Sequence, residues 1–270
     1  MGFVYSLVVP TSAADAISSI ASALTNAGWT LLYDSTNQKV LRCASYTVGN
    51  GDVGSAVLEL TVQGSYVQFG MHTDWNTENN TPITPSTTQR RLPYGYVSGW
   101  CFYIYGNEYW FATVPANSDG TYRSSDEFCG GGIFVPPEGT PVPSPYKAIW
   151  VVGNRSITGG SETVYAFVRN GVTNAGNAFI IHPFLGREGR GNAVEPSAGV
   201  YVGHADQPEY VQPAVFAFYG SGVVGVLPYA YMTIARSKVL GTENTIGGVT
   251  LKKIYLSSDG SGGSLWVRIS

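Results

Sequence analysis

The stretch YGYVSGWCFYIYGNEYWFATV, residues 94–114, decides how the rest of the chain is arranged. It holds two runs of aromatic and β-branched residues, which favour strands, on either side of a polar segment at 106–108. A short Gly/Asn segment between two such runs is typical of a β-hairpin. The sequence therefore predicts two paired antiparallel strands in this part of the chain.

The next stretch, residues 129–146, combines glycine and proline with a few apolar side chains. Because proline lacks a backbone donor and has a fixed φ, we expect an ordered, extended crossing loop here and no interior strand or helix. Neither a Lys-Ser/Thr pair nor a helix follows the glycines at 130–132, so they are not a phosphate loop. We interpret them as a close approach of backbone. Residues 148–153 then predict a strand.

One helix is predicted, near the start of the chain. Residues 3–9 predict a strand, and Thr11 or Ser12 can cap the helix that follows, since a side-chain oxygen there accepts from free backbone donors. Small apolar residues recur at three- and four-residue spacing through 13–27, which gives one apolar stripe suited to packing on a sheet. Gly28 is placed to end the helix in the left-handed conformation.

Four segments after the helix predict an antiparallel meander of two hairpins: 29–33, 39–46, 56–62 and 66–71. In the third segment, apolar Leu58 and Leu60 alternate with Glu59 and Thr61, which indicates a sheet with one face in water.

The segment at 72–93 is polar and nearly free of aliphatic side chains. A polar insertion of this length is usually a functional loop, here an arm onto a neighbouring subunit, or a mobile surface loop, and the sequence favours neither. His72 with Asp74, and Glu78 further on, could supply metal ligands, yet a metal site needs three or four that converge. We therefore expect a satisfied histidine, and no metal or other cofactor.

Further strands are predicted in the second half of the chain: a pair at 162–168 and 178–183, one at 214–219, a bent strand or covered loop at 223–235, and a hairpin of 246–256 with 264–269. The predicted fold class is mainly β (α+β), with antiparallel sheets and one N-terminal helix packed on the first sheet. The best division is an N-terminal α+β unit at 1–155 and a β-rich half at 156–270, and a single domain is the alternative.

Composition excludes several classes of protein. Charged residues make up only 12% of the 270 residues, against about 25% in ordinary domains, which favours a subunit that buries faces against neighbours. The net charge is −3 and no basic run is present, so we expect no nucleic-acid partner, because phosphates must be neutralised. The sequence has no signal-peptide pattern and no long apolar segment, so we expect no membrane insertion.

Catalytic and cysteine motifs are equally sparse. The string at 220–222 lacks the spacing of a serine-hydrolase elbow, and sequence alone cannot place two carboxylates across a cleft, so we expect no enzyme. The three cysteines, Cys43, Cys101 and Cys129, are odd in number and lack a Cys-x-x-Cys spacing, which argues against a zinc or disulfide framework. Cys101 and Cys129 could lie near each other, although buried thiols are the favoured interpretation.

Several of these segments resemble a family of tailed-phage virion proteins found near tail and baseplate genes. The resemblance covers residues 1–155 and rests on these positions: the helix-to-strand segment 27–34, Tyr109-Trp110-Phe111, Tyr122, 130–134, 136–145 and 149–153. It implies a structural subunit of the virion, in the tail or baseplate, that assembles with other virion proteins and with copies of itself. The protein would be made in the host cytoplasm and reside in the virion.

The aromatic residues allow two hypotheses. Tyr and Trp are enriched in cores and at interfaces, and the predicted interface residues are Asp74, Trp75, Arg90, Arg91, Trp100, Tyr103, Tyr105, Tyr109 and Trp110. Alternatively, Tyr94, Tyr96 and Trp100 could form a glycan-stacking face, which would make the chain a virion-surface module that binds host glycan. Because alternate residues of a strand share a face, that arrangement needs a shift of register.

Overall fold

The computed structural model is mainly β with one helix, which confirms the predicted fold class. It describes the following residues: 3–43, 46–47, 53–54, 56–86, 90–93, 100–105, 109–114, 127–133, 148–153, 164–169, 172–175, 178–181, 212–218, 222–233, 243–256 and 264–270.

The described elements follow in chain order: β1 (Phe3–Val8), α1 (Ala13–Asn26), β2 (Thr30–Asp34), β3 (Gln38–Arg42), β4 (Tyr46–Thr47), β5 (Val53–Gly54), β6 (Val57–Gln63), β7 (Tyr66–Asn76), β8 (Thr81–Ser86), β9 (Arg90–Pro93), β10 (Trp100–Tyr105), β11 (Tyr109–Val114), β12 (Glu127–Ile133), β13 (Ala148–Gly153), β14 (Val164–Arg169), β15 (Val172–Ala175), β16 (Ala178–Ile181), β17 (Gln212–Phe218), β18 (Gly222–Thr233), β19 (Glu243–Ile246), β20 (Val249–Leu256) and β21 (Ser264–Arg268).

The strands form three large sheets, in which every pairing is antiparallel. The meander sheet has the order β2-β3-β6-β7-β8, with β9 also paired to β7. The long sheet has the order β1-β10-β11-β12-β13-β14-β15, and the C-terminal sheet has the order β16-β17-β18-β21-β20-β19. Strands β4 and β5 make a separate pair. The predicted hairpins β2–β3, β6–β7, β10–β11 and β20–β21 are confirmed.

The helix begins and ends where its sequence signals lie. The Ser12 hydroxyl accepts from the Asp15 backbone N–H at 3.0 Å, while the Asp15 carboxylate accepts from the Thr11 N–H at 2.8 Å. These contacts satisfy donors that the first helical turn leaves without partners, and they place negative charge there. At the other end Gly28 has φ 99°, and the Trp29 N–H donates to the Leu24 carbonyl at 3.0 Å. A side chain at Gly28 would strain this left-handed turn.

Three expectations about the strands were wrong. Strand β12 lies between β11 and β13 as an interior strand, where we expected a crossing loop from 129 onward. Residues 72–93 contain the end of β7 and all of β8 and β9, where we expected a loop. Strand β14 pairs with β15, and β16 pairs with β17 in another sheet, so the predicted 162–168 and 178–183 pair does not form. Of the two alternatives for 223–235, a bent strand or a covered loop, the structure has the strand β18, whose register shifts against β17.

The main core lies between the helix, the meander sheet and the long sheet. The helix packs on β3 and β6 and also touches β1 and β10. The largest fully buried side chains of the described residues are Trp29, Phe69, Phe102, Tyr103 and Trp110. Phe69 of β7 stacks on Trp110 of β11 with ring centroids 5.1 Å apart, which joins the two sheets face to face.

The glycine run allows these two sheets to approach closely. A Cβ added at Gly131 of β12 would lie 3.1 Å from Cγ and 3.2 Å from Sδ of Met71, and 3.2 Å from Cζ2 of Trp110. These distances are shorter than ordinary carbon contacts of about 3.5–4.0 Å. The interpretation of the run as a close backbone approach is therefore confirmed, although the approach occurs inside a strand.

The second face of the meander sheet is also covered. Val40, Val57 and Trp75 form a separate buried cluster there, with Leu32 packed against it. Glu59 is only 9% exposed on this face, so the expectation of a face in water is wrong at this residue. Where two consecutive residues are apolar, as at Val57 and Leu58, one side chain points to each face of the sheet.

The long sheet crosses the boundary predicted at residue 155, because β13 and β14 are paired from Ala148 with Arg169 to Gly153 with Val164. The hydroxyl of Tyr105 in β10 donates to the carbonyl of Arg268, in β21 of the C-terminal sheet, at 2.8 Å. The division into two units stays a prediction. Among the described residues, no helix is both long enough and apolar enough to cross a membrane.

Candidate functional site

A closed series of polar contacts lies on the outer face of the meander sheet, the face opposite the helix. His72 Nε2 lies 3.1 Å from Glu59 Oε2, and Gln38 Nε2 donates to Glu59 Oε1 at 2.7 Å. The Asn80 amide donates to Gln38 Oε1 at 2.9 Å and accepts from the Trp75 indole N–H at 3.1 Å. The Trp75 and His72 rings then meet edge to face, with centroids 5.3 Å apart. We call these five side chains the outer-face cluster.

Three neighbouring strands and one turn place the outer-face cluster. Gln38, Glu59 and His72 stand on β3, β6 and β7, and the register pairs Val40 with Glu59 and Val57 with His72. Residues two apart on one strand share a face, so all three side chains point the same way.

The turn between β7 and β8 supplies the remaining partner. Asn80 has φ 52°, a left-handed conformation that asparagine tolerates better than most residues. The Asn76 side chain accepts from the Glu78 N–H at 2.9 Å, which fixes the turn in the manner of an Asx-turn. The polar residues of this segment therefore build an ordered hairpin tip.

The Glu59–His72 pair is the most buried ionisable contact in this cluster. The side chains are 11% and 4% exposed respectively, so a substrate atom could reach them only by displacing the surrounding side chains. The geometry allows a proton to be held between Nε2 and Oε2, and it orients the imidazole against Trp75. Such a buried, hydrogen-bonded pair fixes the relation of its strands, and removal of one partner leaves a polar group buried without that contact.

His72 and Asp74, the two neighbouring side chains considered as conceivable metal ligands, do not converge in the structure. His72 contacts Glu59, whereas Asp74 contacts Arg42 at 2.6 Å, so the two side chains serve different partners. Within the described part of the chain, no group of three or more His, Cys, Asp or Glu side chains could hold a metal ion. His72 is buried and contacts Glu59.

Several predicted interface residues belong to the core of the chain itself. Trp75, Tyr103, Tyr105 and Trp110 are each at most 3% exposed. Asp74 remains at the surface, with its side chain 42% exposed beside Arg42. A ring buried inside the chain does not contact another subunit directly and can affect an interface only by supporting the strands that form it. The role of these residues at an interface therefore stays a prediction.

For the other predicted site residues, the structure describes either the backbone alone or nothing. Trp100 pairs with Val8 at the start of β10, and Tyr109 pairs with Tyr105 and with Gly132. Arg90 and Arg91 lie in β9, which pairs with β7. Tyr94 and Tyr96 of the glycan hypothesis lie outside the described residues, as does Tyr122 of the family resemblance.

Exposed large apolar side chains mark the edges of the sheets. Among the described residues there are four: Val9 at 61%, Leu31 at 38%, Tyr33 at 37% and Ile83 at 44% exposed. Leu31 and Tyr33 lie on β2 and Ile83 lies on β8, the two end strands of the meander sheet. Val9 directly follows β1, an end strand of the long sheet. All four therefore lie on or beside strands that end their sheets among the strands that the structure describes.

The structure describes the thiol of Cys43 and places the other two cysteines through their strands. Burial raises the pKa of the Cys43 thiol from 9.0 to about 11, and the N–H of Ala56, which donates to Sγ at 3.0 Å, opposes this shift. Cys101 and Cys129 lie on β10 and β12, with β11 between them. Two strand spacings separate them by about 10 Å, which is beyond the reach of a disulfide.

The sequence alone did not identify the outer-face cluster as a unit. Glu59 was interpreted as a solvated residue, and Gln38 and Asn80 carry no motif. The available signal was the pair of valines at positions 40 and 57, since apolar residues on both faces of a strand indicate that both faces are covered. No protein-family model matches this chain, and no curated protein matches it.

Proposed function

We propose that this chain is a structural subunit of a tailed-phage virion, in the tail or baseplate, and that it acts by assembly. The observation that carries the proposal is the location of the exposed apolar side chains. Every large one among the described residues lies on or next to an edge strand, at Val9, Leu31, Tyr33 and Ile83. An enzyme or ligand-binding module would more typically place its accessible rings in a concave site.

Edge strands explain how such a subunit would contact its neighbours. An end strand presents unpaired N–H and C=O groups, so a strand from another chain can extend the sheet by backbone hydrogen bonds. Side chains beside that edge then add apolar contact. The low charged fraction of 12% supports this proposal, because charge on an edge is a common way to prevent such pairing.

The β7–β8 hairpin tip is the part of the predicted arm that we assign to contact with partners. Thr77, Glu78 and Asn79 are exposed there, while His72 and Trp75 are buried at its base. The outer-face cluster holds the base in place. A rigid polar tip of this kind can space or clamp neighbouring subunits, whereas a mobile loop would first have to be ordered at an entropic cost.

The deciding experiment is quantitative mass spectrometry of gradient-purified particles produced from the genome that encodes this chain. We expect the chain in fixed stoichiometry to the tail proteins, and retained after a high-salt wash. Its absence from particles, with free chain in the lysate, would overturn the proposal. Binding of host polysaccharide, seen as a rise in Tm that Trp100→Ala abolishes, would instead favour the glycan-binding module.

A further inference from the structure

We draw no further inference here: the strongest candidate, the end strand β2 of the meander sheet with its exposed Leu31 and Tyr33, offers no self-complementary surface, because a bulge between these two residues sets their side chains on opposite faces of the sheet, and nothing in the structure shows what covers it.

Discussion

Replacement of Gly131 by alanine tests the packing of the long sheet on the meander sheet most directly. The added methyl would meet two atoms of Met71 at 3.1 and 3.2 Å and one atom of Trp110 at 3.2 Å. Overpacking of this kind costs about 1–3 kcal/mol. Alanine has less conformational freedom than glycine in the unfolded chain, and this difference alone stabilises the fold by about 0.4–1 kcal/mol. We expect Gly131→Ala to lower the free energy of unfolding by about 1–2 kcal/mol.

The measurement is urea denaturation, followed by far-UV circular dichroism and by tryptophan fluorescence. A double-mutant cycle with Met71→Ala separates the contact from the backbone effect. Two of the three close atoms belong to Met71, so in that background Gly131→Ala should cost about 1 kcal/mol less, a coupling typical of residues in contact. The reasoning is refuted if Gly131→Ala stabilises the protein or has the same effect in both backgrounds.

The remaining predictions concern the helix cap, the outer-face cluster and the buried thiol. Ser12→Ala should lower the free energy of unfolding by about 1 kcal/mol. Ser18→Ala removes a hydroxyl that donates to the Ala14 carbonyl on the exposed helix surface, and it should change the free energy of unfolding by less than about 0.5 kcal/mol. Thermal denaturation gives both values. Glu59→Ala should cost about 3–5 kcal/mol, because it removes the carboxylate that His72 and Gln38 contact in a buried site, and Glu59→Gln should recover part of this in urea denaturation. The raised pKa of Cys43 favours its protonated form in the fold, so its contribution to stability is full below pH 9 and is lost as pH rises to about 11. Two pKa units correspond to about 3 kcal/mol, and the pH dependence of unfolding should differ by up to this amount between the parent chain and Cys43→Ala.

Each of these predictions has an opposite outcome. Equal effects of the two serine variants would show that the cap contributes nothing beyond helix propensity. Full stability of Glu59→Ala would mean that the outer-face cluster adds no net free energy. Parallel pH curves for the parent chain and Cys43→Ala would show that the thiol is accessible to water.

The sequence predicted the elements whose pattern is local. The helix has both of its end signals, Ser12 and Gly28, and the hairpins have alternating apolar residues with polar joins. Strand β12 was not predicted, because glycine in a strand interior usually weakens it. Here Gly131 has no Cβ, so the side chains of Met71 and Trp110 can pack closely against its backbone.

The outer-face cluster was missed for a different physical reason. At 72–76 the buried residues include His72, Thr73 and Trp75, so burial there is accompanied by polar atoms and shows no aliphatic periodicity. Only the three-dimensional register brings Glu59 and Gln38 to that histidine. The residue pattern of a strand also does not show which strand it pairs with. Strand β1 pairs with β10 and not with a strand of the meander sheet, which follows it more closely in sequence.

The pairing of β1 with β10 has a consequence during protein synthesis. Phe3 aligns with Tyr105 and Val8 with Trp100, so β1 must wait for a segment that is translated far later. At about 5–20 residues per second, the delay is roughly 5–20 seconds. The helix and the meander sheet are complete in sequence before then, so β1 lacks its β10 partner throughout that interval.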